Sequence, residues 1–271
     1  GGLTAFGSDG FTVGSDAGYN GSSNGMIAWC WRANGGTTSS NTDGDVTSTV
    51  QANQAAGFSI VTFTGTLGES ASTASVGHGL TAIPDFIISK SYDTGSKDWT
   101  VLHSGLTSRN YKLTLNADYA EEDRSSAGDM SSLFTTTTYG TNATTGLNQS
   151  GRNYIAFVWH NVEGMQKFGK FTGNGNTDGP FVYTGFRPRM IFLRRTTSGY
   201  FNVIDSARDT FNPVNKYLSW NVADAESTGA DIDFLSNGFV LKTSASGINQ
   251  DGTTFVYACW GDNPFKYNNA F

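Results

Sequence analysis

The chain has 271 residues, with 17 Lys and Arg against 23 Asp and Glu, a formal net charge of −6 and a pI near 4.9. That balance, with no basic stripe, argues against nucleic acid and anionic membrane surfaces as partners, since both collect cations. No apolar run approaches the roughly 20 residues that cross a bilayer, and Gly1-Gly2-Leu3-Thr4 lacks the basic and apolar segments of a signal peptide.

Charged residues are only 15%, aromatics reach 13%, and 34 Gly stand among abundant Ser, Thr and Asn, a composition of many short strands joined by tight polar turns. In chain order, the first strands read as Ser8-Asp9-Gly10-Phe11-Thr12-Val13 and, after Gly18-Tyr19-Asn20, as Ile27-Ala28-Trp29-Cys30-Trp31. A Gly/Ser/Thr/Asn-rich stretch follows, with one short strand expected at 45–50. Phe63-Thr64-Gly65 ends the next strand, and Gly79-Leu80-Thr81-Ala82-Ile83 leads through Pro84 into Asp85-Phe86-Ile87-Ile88. Short aromatic strands come next at Trp99-Thr100-Val101-Leu102 and Tyr111-Lys112-Leu113-Thr114-Leu115.

From there the pattern repeats. Ser132-Leu133-Phe134-Thr135-Thr136-Thr137, Gly146-Leu147-Asn148 and Ile155-Ala156-Phe157-Val158-Trp159 match the opening half-unit. So do Ser236-Asn237-Gly238-Phe239-Val240-Leu241, Gly247-Ile248-Asn249 and Val256-Tyr257-Ala258-Cys259-Trp260. Phe171-Thr172-Gly173, the Pro188-led strand, Tyr200-Phe201-Asn202-Val203 and Tyr217-Leu218-Ser219-Trp220 match the other half. The repeat predicts an all-β chain of tandem antiparallel β-sandwich units of jelly-roll or lectin-like type. Residues 1–36 form the second half of an incomplete repeat, 37–57 a linker with a short strand, and 58–164 and 165–271 one sandwich each. The short passage through Val162-Glu163-Gly164 implies that those two sandwiches pack closely.

The opening half-unit has no first half before it, and two strands cannot bury its aromatics or satisfy both ladder edges. Something must complete it: upstream chain, the following unit, or strands from a neighbouring copy. The sequence favours a longer parent polypeptide.

Chemistry-bearing residues are few. Gly21-Ser22-Ser23-Asn24-Gly25 fits the G-x-S-x-G string of serine hydrolases but lacks its strand–turn–helix setting. His78, His103 and His160 have no second ligand at metal spacing, and His78 fits a turn cap. Asn174-Gly175-Asn176-Thr177-Asp178-Gly179 resembles half of a calcium loop, but Gly185 stands where the bidentate acid belongs; a hairpin loop explains it as well. Glu121-Glu122-Asp123 reads as a solvated turn rather than a glycosidase pair. Tyr19 and Trp99 align with core positions rather than forming a sugar platform. Cys30 and Cys259 share the slot of Val158, which predicts free, buried thiols. No catalytic, cofactor or metal residue is expected, so the chain is read as a non-enzyme without cofactor.

Several long strings carry a resemblance: Ile27-Ala28-Trp29-Cys30-Trp31 with Asn41-Thr42-Asp43-Gly44, Ser59-Ile60-Val61-Thr62-Phe63-Thr64-Gly65, Gly77-His78-Gly79-Leu80, Lys167 to Gly175, Asp178 to Pro188, and Asn263-Pro264-Phe265-Lys266-Tyr267. They resemble an uncharacterised repeat family of large virion proteins of marine phages, including cyanophages, over nearly the whole chain. The resemblance implies a structural protein of a tail fibre or other surface appendage, often with a SPRY or concanavalin A-like lectin domain upstream and with no catalytic residues to carry over. It implies a place on the virion surface, self-association and contact with other virion proteins, and host-surface glycan as a ligand. A carbohydrate-binding module and a polysaccharide depolymerase are the alternatives.

Overall fold

A computed structural model describes residues 1–262 other than Asn24, Glu69, Ala71, Ser96 and Thr145; the ending 263–267 quoted above lies outside the described residues. The chain divides into two compact units, Gly1–Arg32 and Ala33–Phe271. Both are built on antiparallel strands.

In the small unit, β1 (Leu3–Phe6) and β2 (Phe11–Val13) form a hairpin, followed by one turn of helix, α1 (Ala17–Asn20). Asp16 caps that turn, its carboxylate accepting the Gly18 N–H at 2.9 Å. Residues 27–31, expected as a strand, lie outside any strand. The matching strand of each complete repeat runs between two neighbours, whereas β1 and β2, the strands of Gly1–Arg32, pair with each other.

The large unit holds two sandwiches. The first repeat consists of β3 (Ser39–Asn41), β4 (Ser48–Asn53), β5 (Phe58–Thr64), β6 (Thr73–Gly77), β7 (Phe86–Ser91), β8 (Thr100–His103), β9 (Tyr111–Thr114), β10 (Glu122–Asp123), β11 (Thr138–Asn142) and β12 (Asn153–Trp159). The second consists of β13 (Gln166–Thr172), β14 (Phe181–Tyr183), β15 (Pro188–Arg195), β16 (Asn202–Asp205), β17 (Tyr217–Ser219), β18 (Ile232–Leu235), β19 (Gly238–Leu241), the helical turn α2 (Ser246–Asn249) and β20 (Thr254–Gly261). The large sheet runs β5-β12-β7-β8-β9 in the first repeat and β13-β20-β15-β16-β17 in the second, one topology twice. A small sheet, β6-β11 or β14-β19-β18, closes each sandwich.

Period-two alternation separates the two faces of each large sheet. On β12, Tyr154, Ala156 and Val158 join the first core, while Trp159 faces the other way; on β20, Phe255, Tyr257 and Cys259 join the second. The slot shared by Val158 and Cys259 is therefore real, and Cys259 is a free, buried thiol. Cys30 is also free but exposed, contrary to its expected burial, because its segment joins no sheet.

Two expectations change. The segment 37–57 is no linker: β3 and β4 extend the first large sheet, and Val46 and Val50 enter its core. The strand placed at 132–137 lies later, at β11, because Ser131–Leu133 close a 3-10 turn and Thr135 turns back on Thr138. Register then matches Tyr139, opposite Val76, with Phe239, opposite Val182.

The Phe-Thr-Gly and Gly-x-Asn strings act together. Asn148 accepts the Thr66 N–H at 2.7 Å, and Asn249 accepts the Asn174 N–H at 2.9 Å, each one residue past Phe-Thr-Gly. The glycines are required there, since a Cβ on Gly65 or Gly173 would fall 2.2 Å or 2.3 Å from the carbonyl oxygen of Gln149 or Gln250. Both asparagines are fully buried.

The outward faces of the two large sheets meet in an aromatic junction. Phe86 stacks on Trp159 at 5.2 Å and on Phe168 at 5.6 Å, and Trp159 meets its repeat counterpart Trp260 edge-on at 6.1 Å. The turn from Val162 to Gln166 is tight, as expected, and buried Gln166 donates to the carbonyls of Gly57 (3.1 Å) and His160 (2.7 Å).

Candidate functional site

The residues singled out in sequence are held in structural roles. His78 is fully buried, and its Nδ1 accepts the Leu80 N–H at 3.0 Å, so it caps the turn at Gly79. Burial pulls its pKa down to about 4, against the opposing pull of the Thr135 backbone. His103 accepts the Gly105 N–H through Nδ1 (2.9 Å), which leaves its proton on Nε2, 3.0 Å from the Tyr257 carbonyl. Burial lowers its pKa to about 4 as well. His160 Nδ1 lies 2.7 Å from the Asn161 carbonyl.

The three adjacent acids each have their own partner. Glu121 takes the Thr107 N–H and hydroxyl, Glu122 pairs with Lys112 at 3.2 Å and with Arg124, and Asp123 caps Ser125. In the calcium-like loop, Asn174 Oδ1 accepts from the Asn176 N–H and from Asn249, and Asn176 Oδ1 accepts from the Asp178 N–H. Those oxygens close the hairpin. Among the described residues no group of three His, Cys, Asp or Glu is placed to hold a metal. In the G-x-S-x-G string, Ser22 and Ser23 lie in a turn after α1 with no strand or helix following; Asn24 is outside the described residues.

The aromatic assignments divide. Trp99 is half-buried, stacked near Phe157 at 6.3 Å with Lys90 over its ring. Tyr19, read as a core residue, is 55% exposed, whereas its counterparts Leu147 and Ile248 are buried. The small unit builds no sheet across that position.

Sequence reasoning missed an open aromatic surface. On β14, Val182 points into the core while Phe181 and Tyr183 are 50% and 65% exposed. Their neighbours across β19 and β18 are Val240 and Gly238, then Asp233 and Leu235, the last also exposed. A Cβ on Gly238 would fall 2.2 Å from the Val182 carbonyl oxygen and 3.0 Å from the Phe181 ring, so glycine lets both the neighbouring backbone and that ring come close. The signal was present in Phe181-Val182-Tyr183 as two aromatics on alternate positions of a short strand. In the first repeat the matching strand, β6, is buried from Ala74 to Gly77. What covers it is the segment 41–48: the Asn41 side chain occupies the space over Gly77, and Gly44 packs on the Ser75 carbonyl.

The β14 side of the second sandwich thus presents two exposed aromatic rings on an edge strand. No helix among the described residues is long and apolar enough to cross a membrane. Neither the curated proteins nor the solved structures contain a match to this chain. A family model described as a domain of unknown function, DUF7483, matches residues 1–264, and the chain belongs to that family.

Proposed function

We propose that the chain is a non-catalytic structural protein of a phage virion, part of a tail fibre or another surface appendage that attaches to the host. The observation that carries this reading is the aromatic junction. Two sandwiches of one topology are fused through stacked Phe86, Trp159 and Phe168, with Trp260 edge-on against them and a tight turn between the repeats. Rings buried on both sides of such a seam resist bending, which suits a stiff, protease-resistant rod element. The likeness to repeats of marine phage virion proteins points the same way. In infected cells, an antibody to this chain should label assembled particles under electron microscopy. Signal confined to the cytoplasm overturns the reading.

A carbohydrate-binding module is the second reading, favoured by the exposed Phe181 and Tyr183, since aromatic faces stack on sugar rings. The isolated chain would then select among glycans on an array, and Tyr183→Ala would abolish the signal. Product release from host capsule would instead support a depolymerase.

A further inference from the structure

The two repeats differ at one sheet edge. Antiparallel pairing turns alternate residues of an edge strand toward and away from the neighbour. On β6, His78 and Ser72 bond across to the β11 side, so Ser75 and Gly77 present their backbone groups to the free edge. That edge is filled by the chain's own residues 45–48, which run parallel to β6 with Val46 opposite Val76. The Asp45 carboxylate accepts the Ser75 N–H (2.8 Å), the Val46 N–H donates to the Ser75 carbonyl (3.1 Å), and the Ser48 hydroxyl donates to the Gly77 carbonyl (2.8 Å).

On β14 the phase is the same. Leu241 N–H bonds to the Pro180 carbonyl and Thr184 N–H to the Asn237 carbonyl, so the backbone of Phe181 and Tyr183 faces outward, as that of Ser75 and Gly77 does. No bond among the described residues reaches the Phe181 N–H, the Phe181 carbonyl or the Tyr183 carbonyl from that side. The passage into the second repeat, closed by the turn at Val162–Gln166, supplies no arm like residues 41–48. The side chains above this edge, Phe181 and Tyr183, are the exposed pair already described.

We propose that the β14 edge is a docking strand for an extended arm of another polypeptide, laid parallel to β14. The arm carries an acid, an apolar residue and, two positions on, a hydroxyl, as Asp45-Val46-Thr47-Ser48 does in the first repeat. The acid takes the Phe181 N–H, the next amide donates to the Phe181 carbonyl, and the hydroxyl donates to the Tyr183 carbonyl. Such strand addition draws affinity from main-chain bonds and specificity from the alternating side chains. It also removes an open edge of the kind that invites uncontrolled pairing. The inference does not depend on a virion location.

The test is a titration of the isotope-labelled chain with a synthetic peptide of residues 40–50. Saturable, one-to-one binding should shift the amides of Phe181 and Tyr183 and protect that of Phe181 from exchange. Asp45→Asn in the peptide should weaken binding about tenfold, the loss expected for one charge-assisted hydrogen bond. Three outcomes overturn the proposal: no change at β14 with peptide in millimolar excess, changes confined to β6 through exchange with the chain's own arm, or equal binding by a scrambled peptide. Perturbation of Phe181 and Tyr183 by an oligosaccharide but not by the peptide overturns it too and assigns the surface to sugar.

Discussion

His103, at the end of β8 in the first repeat, donates from Nε2 to the Tyr257 carbonyl on β20 of the second, 3.0 Å away. The bond crosses the seam between the sandwiches and fixes the neutral imidazole, because Nδ1 is already an acceptor from Gly105.

Stability should therefore fall with acid in a defined window. The pKa of His103 is about 4 when folded, lowered by burial from an ordinary value of 6.5. A depressed histidine favours the fold fully above 6.5, and this contribution is lost as pH falls from 6.5 to about 4, amounting to roughly 3 kcal/mol. His78 behaves alike. Depressed carboxylates such as Asp45 and Asp129 act at lower pH. In urea titrations across pH 4–6.5, His103→Gln should show about half the wild-type slope; an unchanged slope refutes the assignment.

Phe86→Ala should cost about 3–5 kcal/mol, the usual range for deleting a buried phenylalanine. The loss falls on the seam rather than on either core, since Phe86 touches Trp159, Phe168, Phe192 and Trp260. Guanidinium unfolding should then resolve into two transitions, one per sandwich. Tyr92→Ala, at an exposed aromatic, should stay within about 0.5 kcal/mol. Similar midpoints for the two variants would remove the seam's role.

The repeats were legible because they reuse strings that do physical work. Phe-Thr-Gly marks a close backbone approach and Gly-x-Asn a buried amide, so each string recurs with its half of the repeat, although that the amide binds just past Phe-Thr-Gly emerges only in the fold. Strand 27–31 was misread because its pattern matches β12 and β20 while the neighbours that make those strands are not in its unit. The arm 41–48 read as a linker because its bonds run through Asp45, Ser48 and Ser75, polar residues typical of loops. The open edge of β14 is a matter of what fails to lie beside it, and a single strand's sequence carries no record of that.

Asn249→Ala should destabilise the second sandwich by about 2–4 kcal/mol, since it leaves the Asn174 N–H and the buried Thr243 carbonyl without their partner and empties a fully buried amide site. Asn148→Ala should match it in the first, through Thr66 and Thr141. Asn20→Ala, whose amide makes an exposed bond to the Gly14 carbonyl, should change little. Thermal unfolding of the three variants checks the ranking, and a large effect at Asn20 would contradict it.

Thiol labelling gives the last prediction. Cys30 is exposed and should react quickly with a disulfide reagent in the native protein, whereas Cys259 is fully buried, with its pKa pushed well up by burial. A thiolate is the reacting species, so Cys259 should react only when the second sandwich opens. Its labelling rate then reports the opening equilibrium. Asn249→Ala, by weakening that sandwich by about 2 kcal/mol or more, should speed Cys259 labelling roughly thirtyfold or more, while Cys30 keeps its wild-type rate. Asn148→Ala should speed it less, because the amide it removes closes the other core. If native Cys30 fails to react, or if Cys259 labels at the same rate in all three proteins, the placement of these thiols is wrong.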